Sequence, residues 1–178
     1  MARGLHSYVL VLSAGLSVGT TACVVPPPLG LDQPDAGANA SPVFLSVRGP
    51  DGKELAQPGP VTIVQLENDD ATITAYDADA GDTLTVQVFV DYSEKAPTAP
   101  RSTCTASPAT DSSLERTLSC PLKAICLPTD VTTGNPHFMT FEIYDRPVIN
   151  DPLMFRSVAP PGMKSEKDFL LTCLQATQ

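Results

Sequence analysis

The stretch TLTVQVFVDY, residues 83–92, decides how this chain is read. Leu84, Val86, Val88 and Val90 recur at every second place, with Thr85, Gln87, Phe89 and Asp91 between them. Successive side chains of a strand point to opposite sides, so a period of two gathers the apolar set on one face. Valine, branched at Cβ, suits such a pleated, half-buried surface. The predicted strand therefore buries its valine face and turns Thr85, Gln87, Phe89 and Asp91 outward.

The same signature continues to either side. VFLSVR at 43–48 alternates Val43, Leu45 and Val47 with Phe44, Ser46 and Arg48. VTIVQL follows at 61–66, and ATITAYD at 71–77 alternates Ala71, Ile73 and Ala75 with Thr72, Thr74 and Tyr76. Downstream, HFMTFEIYD at 137–145 sets Met139, Phe141 and Ile143 against Phe138, Thr140 and Glu142. DFLLTCLQ at 168–175 places Phe169, Leu171 and Cys173 on one face. Clusters of Pro, Gly and Asp, at 50–52 and in DADAGD at 77–82, mark turns. No sustained helical stripe occurs; a short helical turn is expected near 113–118 or 121–125. The count is about seven strands, which predicts an all-β, antiparallel sandwich over residues 43–178. Long irregular loops at 93–115 and 146–167 speak against a closed barrel. The charge run MKSEKD at 163–168 reads as a solvated loop ahead of the last strand.

The segments ITAYDADAGDTLTVQVFVDYS and HFMTFEIYDRP, within residues 71–147, resemble the immunoglobulin-like and cadherin-like modules of bacterial surface proteins. Those modules carry an Asp-x-Asp-x-Gly-Asp turn after one strand and an aspartate closing a late one. The resemblance implies an immunoglobulin-like sandwich. It also implies calcium at the acidic turn formed by Asp77, Asp79 and Asp82, with Asp91 and Asp145 at strand ends, because calcium takes six to eight oxygen ligands. Aspartate also favours turns for a simpler reason, since its side chain caps nearby amides, and both readings stand at this level.

The N-terminus reads as an address. Residues 1–22 have Arg3 at the start, an apolar run from Tyr8 to Val18, and the small residues Gly19, Thr20, Thr21 and Ala22 before Cys23. That layout is a secretory signal peptide, too short and too interrupted to span a bilayer. With Cys23 at the first mature position it resembles a bacterial lipoprotein signal, although Thr20 stands where the usual box has leucine. The resemblance implies a diacylglycerol on the Cys23 thiol and further acylation of its amine. Val24 and Val25 behind the cysteine imply outer-membrane delivery. Residues 23–42, with Pro26, Pro27, Pro28, Pro34 and Pro42, read as an extended tether.

Cysteine parity points the same way. Exported chains pair their cysteines, and five is odd. Setting Cys23 aside leaves Cys104, Cys120, Cys126 and Cys173, which allow three pairings. The preferred one is Cys104–Cys120 with Cys126–Cys173. Zinc is the rival use of four cysteines. However, the close pair Cys120 and Cys126 has five residues between its members, wider than zinc sites use.

Composition narrows the chemistry. A net charge of -9 disfavours nucleic acid, which needs clustered Lys and Arg. His137 is the one histidine outside residues 1–22, and no Gly-x-Ser-x-Gly elbow offers it a nucleophile. Trp is absent, which removes the commonest sugar platform. The chain is thus expected to be a non-enzymatic envelope lipoprotein without a cofactor. It would be membrane-tethered through Cys23 and carry a structural or protein-binding sandwich. The alternative is a calcium- or carbohydrate-binding adhesion module. An exposed apolar patch on one sheet would favour a protein partner. A groove carrying Tyr76, Tyr92 or Tyr144 beside carboxylates would favour sugar.

Overall fold

The computed structural model describes residues 39–65, 68–109, 113–149, 151 and 154–176. The expected signal peptide, Cys23 and most of the expected tether lie outside the described residues. The described chain holds eight strands and one short helix. In order these are β1 (Val43–Arg48), β2 (Val61–Val64), β3 (Asp70–Tyr76), β4 (Leu84–Val90), β5 (Ser102–Ala106), β6 (Glu115–Pro121), α1 (Pro128–Thr133), β7 (His137–Tyr144) and β8 (Lys164–Leu174). The expected helical turn at 113–118 is therefore strand β6. The loop expected at 93–115 contains β5.

The strands form two sheets, β1-β3-β6 and β2-β8-β7-β4-β5. Their apolar faces meet in one core. Ile73 of β3, Leu118 of β6, Val86 and Val88 of β4, Phe141 of β7 and Phe169 of β8 are all buried there. Phe141 and Phe169 meet edge to face at 5.7 Å between centroids, the geometry aromatic quadrupoles favour. The alternation of residues 83–92 holds, with Leu84, Val86, Val88 and Val90 all in the core.

The arrangement is not antiparallel throughout. β2 runs parallel to β8, with Val61 opposite Leu171 and Val64 opposite Leu174. After β1 the chain turns at 49–52 and crosses to the other sheet, so β1 and β2 share one side of the molecule but belong to different layers. Gly59 makes the crossing possible. Its φ is +130°, and a Cβ there would lie 2.6 Å from the Leu170 carbonyl oxygen. Only glycine tolerates both conditions.

β1 breaks its own alternation. Its register against β3 shifts between Phe44 and Ser46, a bulge that inserts Leu45 as an extra residue. Val47 is buried while Val43 and Leu45 are exposed, so these three apolar residues do not share a face. β8 begins at Lys164, not at the expected 168. The charge run at 163–168 is thus largely strand, and Glu142 of β7 pairs with Glu166 while Tyr144 pairs with Lys164.

The outer face of the five-stranded sheet is covered along part of its length. Phe89, Glu142 and Tyr144 point away from the sandwich core, yet each is 0% exposed. The segment following β7 folds back over them as an irregular hairpin. Val148 bridges Val158, and the Ile149 amide donates to the Ser157 carbonyl at 2.8 Å.

The two disulfides follow the preferred pairing. Cys104–Cys120 joins β5 to β6, and so one sheet to the other, with Cα atoms 5.0 Å apart. Cys126–Cys173 ties the segment before α1 to β8, with Cα atoms 5.6 Å apart. Such bonds persist in oxidising, extracytoplasmic compartments. Among the described residues no helix is long and apolar enough to cross a membrane.

Candidate functional site

The covered outer face carries the most organised polar cluster. Glu142 lies at the middle of β7, where the alternation turns it away from the core and the hairpin seals it from water. A buried carboxylate is costly unless paired, and this one is paired on all sides. Its Oε1 accepts from Arg156 Nε at 2.7 Å and from Lys164 Nζ at 2.7 Å. Arg156 Nη2 also donates to it, and the Tyr144 hydroxyl donates to Oε2. Burial works to raise the Glu142 carboxyl, but the bonds from Arg156, Lys164 and Tyr144 outweigh it and hold the group below the usual glutamate range. Burial and the bond to Glu142 push the Tyr144 phenol above its own range.

Arg156 is the keystone. Its guanidinium lies 5.0 Å from the Tyr92 ring centroid and 5.7 Å from that of Phe89, a cation–π arrangement. Nη2 also reaches Glu166 at 2.8 Å. Above the cluster opens a groove of about 540 Å³ lined by Tyr92, Glu94, Met154, Arg156, Ser157, Lys164 and Glu166. The tyrosines named from the sequence thus separate. Tyr92 lines the groove, Tyr144 lies sealed beneath the covering hairpin, and Tyr76 is on the other sheet, paired across from Val43. No local pattern marks Glu142, Arg156 and Lys164 as a unit, because their meeting depends on how the hairpin closes.

The acidic turn takes in an arginine side chain. Arg116, on β6, projects into it. Nη1 donates to the Asp82 carbonyl, Nη2 donates to the Asp79 carbonyl at 2.7 Å, and Nη2 stands 3.7 Å from Asp77 Oδ2. Arg146 pairs with the Asp82 carboxylate, and Asp77 Oδ1 caps the Asp79 amide at 3.1 Å. Burial raises the Asp77 carboxyl, with the Asp79 amide and Arg116 acting against that rise. Among the described residues no group of three or more His, Cys, Asp or Glu side chains is arranged to hold a metal ion. Three carboxylate oxygens of the turn, Asp77 Oδ2, Asp79 Oδ2 and Asp82 Oδ2, are buried with no hydrogen-bond partner among the described residues. Arg116 and backbone capping partner part of the turn, and the calcium expected at Asp77, Asp79 and Asp82 remains a proposal.

The two strand-end aspartates also have structural partners. Asp145 accepts from the Met163 amide at 2.7 Å and from Asn39 Nδ2 at 2.6 Å. Asp91, at φ 50°, accepts from the Phe138 amide at 2.8 Å and bonds His137 Nδ1 at 2.5 Å. His137 Nε2 faces the Asp130 carbonyl at 3.4 Å. Both partners are acceptors, so the imidazolium form serves them best. Burial works to lower the His137 pKa, but Asp91 and the Asp130 carbonyl raise it net above 6.5. Asp130 in turn pairs with Arg101. The arrangement pins α1 to the ends of β4 and β7, and among the described residues His137 bonds Asp91 and the Asp130 carbonyl.

Apolar side chains are left open on the outer face. Phe138 is 67% exposed, directly across from Leu170, with exposed Leu174 further along the same strand.

These features define an all-β, two-sheet domain stapled by two disulfides, with a polar groove on the outer face of its larger sheet. No protein-family model matches the chain, and no curated protein matches it.

Proposed function

We propose that this chain is an envelope lipoprotein, anchored through acylated Cys23, that presents a non-catalytic binding sandwich on a Pro-rich tether. The observation that carries the anchor is the cysteine count. Cys104, Cys120, Cys126 and Cys173 are consumed in two internal disulfides, and Cys23 is the fifth. A thiol at an exported mature N-terminus is accounted for by lipid. Intact mass of the chain expressed in a bacterial host with its own leader tests this. Acyl mass at Cys23, lost with envelope retention in Cys23→Ser, is expected; a membrane-free product of unmodified mass would overturn the anchor.

We further propose that the sandwich is of immunoglobulin-like type. The order β1-β3-β6 corresponds to strands A, B and E. The order β8-β7-β4-β5 corresponds to G, F, C and C′. The parallel β2 fits as a portion of the first strand that has switched sheets. The inter-sheet disulfide joins β5 to β6, not the B and F strands of antibody domains.

A protein partner is the first reading of the binding role, supported by exposed Phe138 beside Leu170. Pull-down from envelope extracts should yield a partner that Phe138→Asp loses. A second reading, a carbohydrate-binding adhesion module, is favoured by the groove, where Tyr92 stands beside Glu94 and Glu166.

A further inference from the structure

The groove over Glu142 has a property that narrows its ligand. Arg156 directs three of its five N–H groups at the carboxylates of Glu142 and Glu166, and Lys164 directs one of three at Glu142. Among the described residues the remaining N–H groups of both side chains have no acceptor. Their charges, by contrast, are already matched. Glu142 and Glu166 stand against Arg156 and Lys164, and Glu94 adds a further negative charge at the wall. A second carboxylate or a phosphate entering here would meet two exposed glutamates and no surplus of positive charge. The lining therefore lacks hydrogen-bond acceptors for its cations and donors for Glu94, without lacking charge of either sign.

Hydroxyl groups meet both needs, because each donates once and accepts twice. The floor is also preorganised. Arg156 and Lys164 are held by a carboxylate that is 0% exposed, so binding costs little of the rotamer freedom that free long side chains would lose. Tyr92 and Met154 supply apolar surface of the kind the C–H faces of a pyranose require. The volume of about 540 Å³ falls in the range of small-molecule sites.

We infer that this groove binds a neutral oligosaccharide. Glu94 and Glu166 would accept from its hydroxyls, Arg156 and Lys164 would donate to its oxygens, and Glu142 would act beneath as the positioning residue. This rests on the carbohydrate reading above and assigns it a site and a ligand charge.

The test is calorimetric titration of the full chain, purified from the envelope in detergent. The probes are maltohexaose, cellohexaose and chitohexaose, with trigalacturonate and trialanine as acidic and zwitterionic comparisons. At least one neutral oligosaccharide is expected to bind, and neither comparison. Glu94 is exposed and makes no bond among the described residues, so Glu94→Ala should weaken binding about tenfold without moving the Tm. Glu94→Gln, which keeps an acceptor oxygen, should restore most of it. If a neutral sugar binds equally well to Glu94→Ala and Lys164→Ala, the groove is overturned while the carbohydrate reading stands. Preference for trigalacturonate or trialanine would overturn the neutral class. Binding of no oligosaccharide would remove the carbohydrate reading itself.

Discussion

Three buried ionic residues decide most of what single substitutions will do. Arg116 projects into the acidic turn, and its side chain is only 4% exposed. Removing one partner of a buried ionic group leaves the other uncompensated, which costs about 3–5 kcal/mol. Arg116→Met should therefore lower the urea midpoint by that equivalent. Glu142 and His137 act in opposite senses with pH. The Glu142 carboxyl is held low in the folded state, so its contribution is present above the unfolded glutamate pKa and is lost as pH falls through the folded value. The His137 pKa is raised, so its contribution is present below 6.5 and is lost as pH rises through the folded value. Thermal melts from pH 5 to 9 should show the gap between the native chain and His137→Gln closing as pH increases. A gap that widens with pH would contradict the imidazolium. None of these roles was visible from residue type. The acidic turn was legible as a turn, but Arg116 lies 34 positions beyond Asp82, and no local pattern links them.

The elements with clean period-two alternation were read correctly, β4 and β7 above all. Those that failed did so for identifiable reasons. β1 hides a bulge that puts Val43 and Leu45 outside. β8 starts in charged residues because Lys164 and Glu166 face Arg156 and Glu142, so polarity there reports a polar cluster and not a loop. β5 is short and Ser/Thr-rich, β6 turns the charged Arg116 inward beside Leu118, and the inward residues of both include the cysteines that join them. α1 had end signals, Pro128 at its start and Gly134 at φ 61° beyond its end, but six residues are too few to show a helical period. Two predictions belong at this scale. Gly59→Ala, at φ +130° and against the Leu170 backbone, should destabilise the β2–β8 crossing by at least about 1–3 kcal/mol in chemical denaturation. The disulfides close separations of 16 and 47 residues, worth about 3 and about 4 kcal/mol in the chain-entropy model. The Cys126→Ala/Cys173→Ala pair should therefore melt below the Cys104→Ala/Cys120→Ala pair.

At the scale of the whole molecule, the described residues form a stapled two-sheet domain whose larger sheet is buried on both faces in one region. That double burial explains why β7 shows four consecutive buried residues from Phe141 to Tyr144, which a one-sided strand would not. The sequence by itself determined the all-β class, the odd cysteine count and the strands that alternate, because these depend on local period, composition and count. The tertiary structure alone decided the parallel β2, the cover over Glu142, the arginine inside the acidic turn and the groove at Tyr92. Each of those depends on side chains brought together across dozens of positions, and on which faces lose their water when loops close. Residue order does not encode that locally; it is set when the two sheets and the covering hairpin pack.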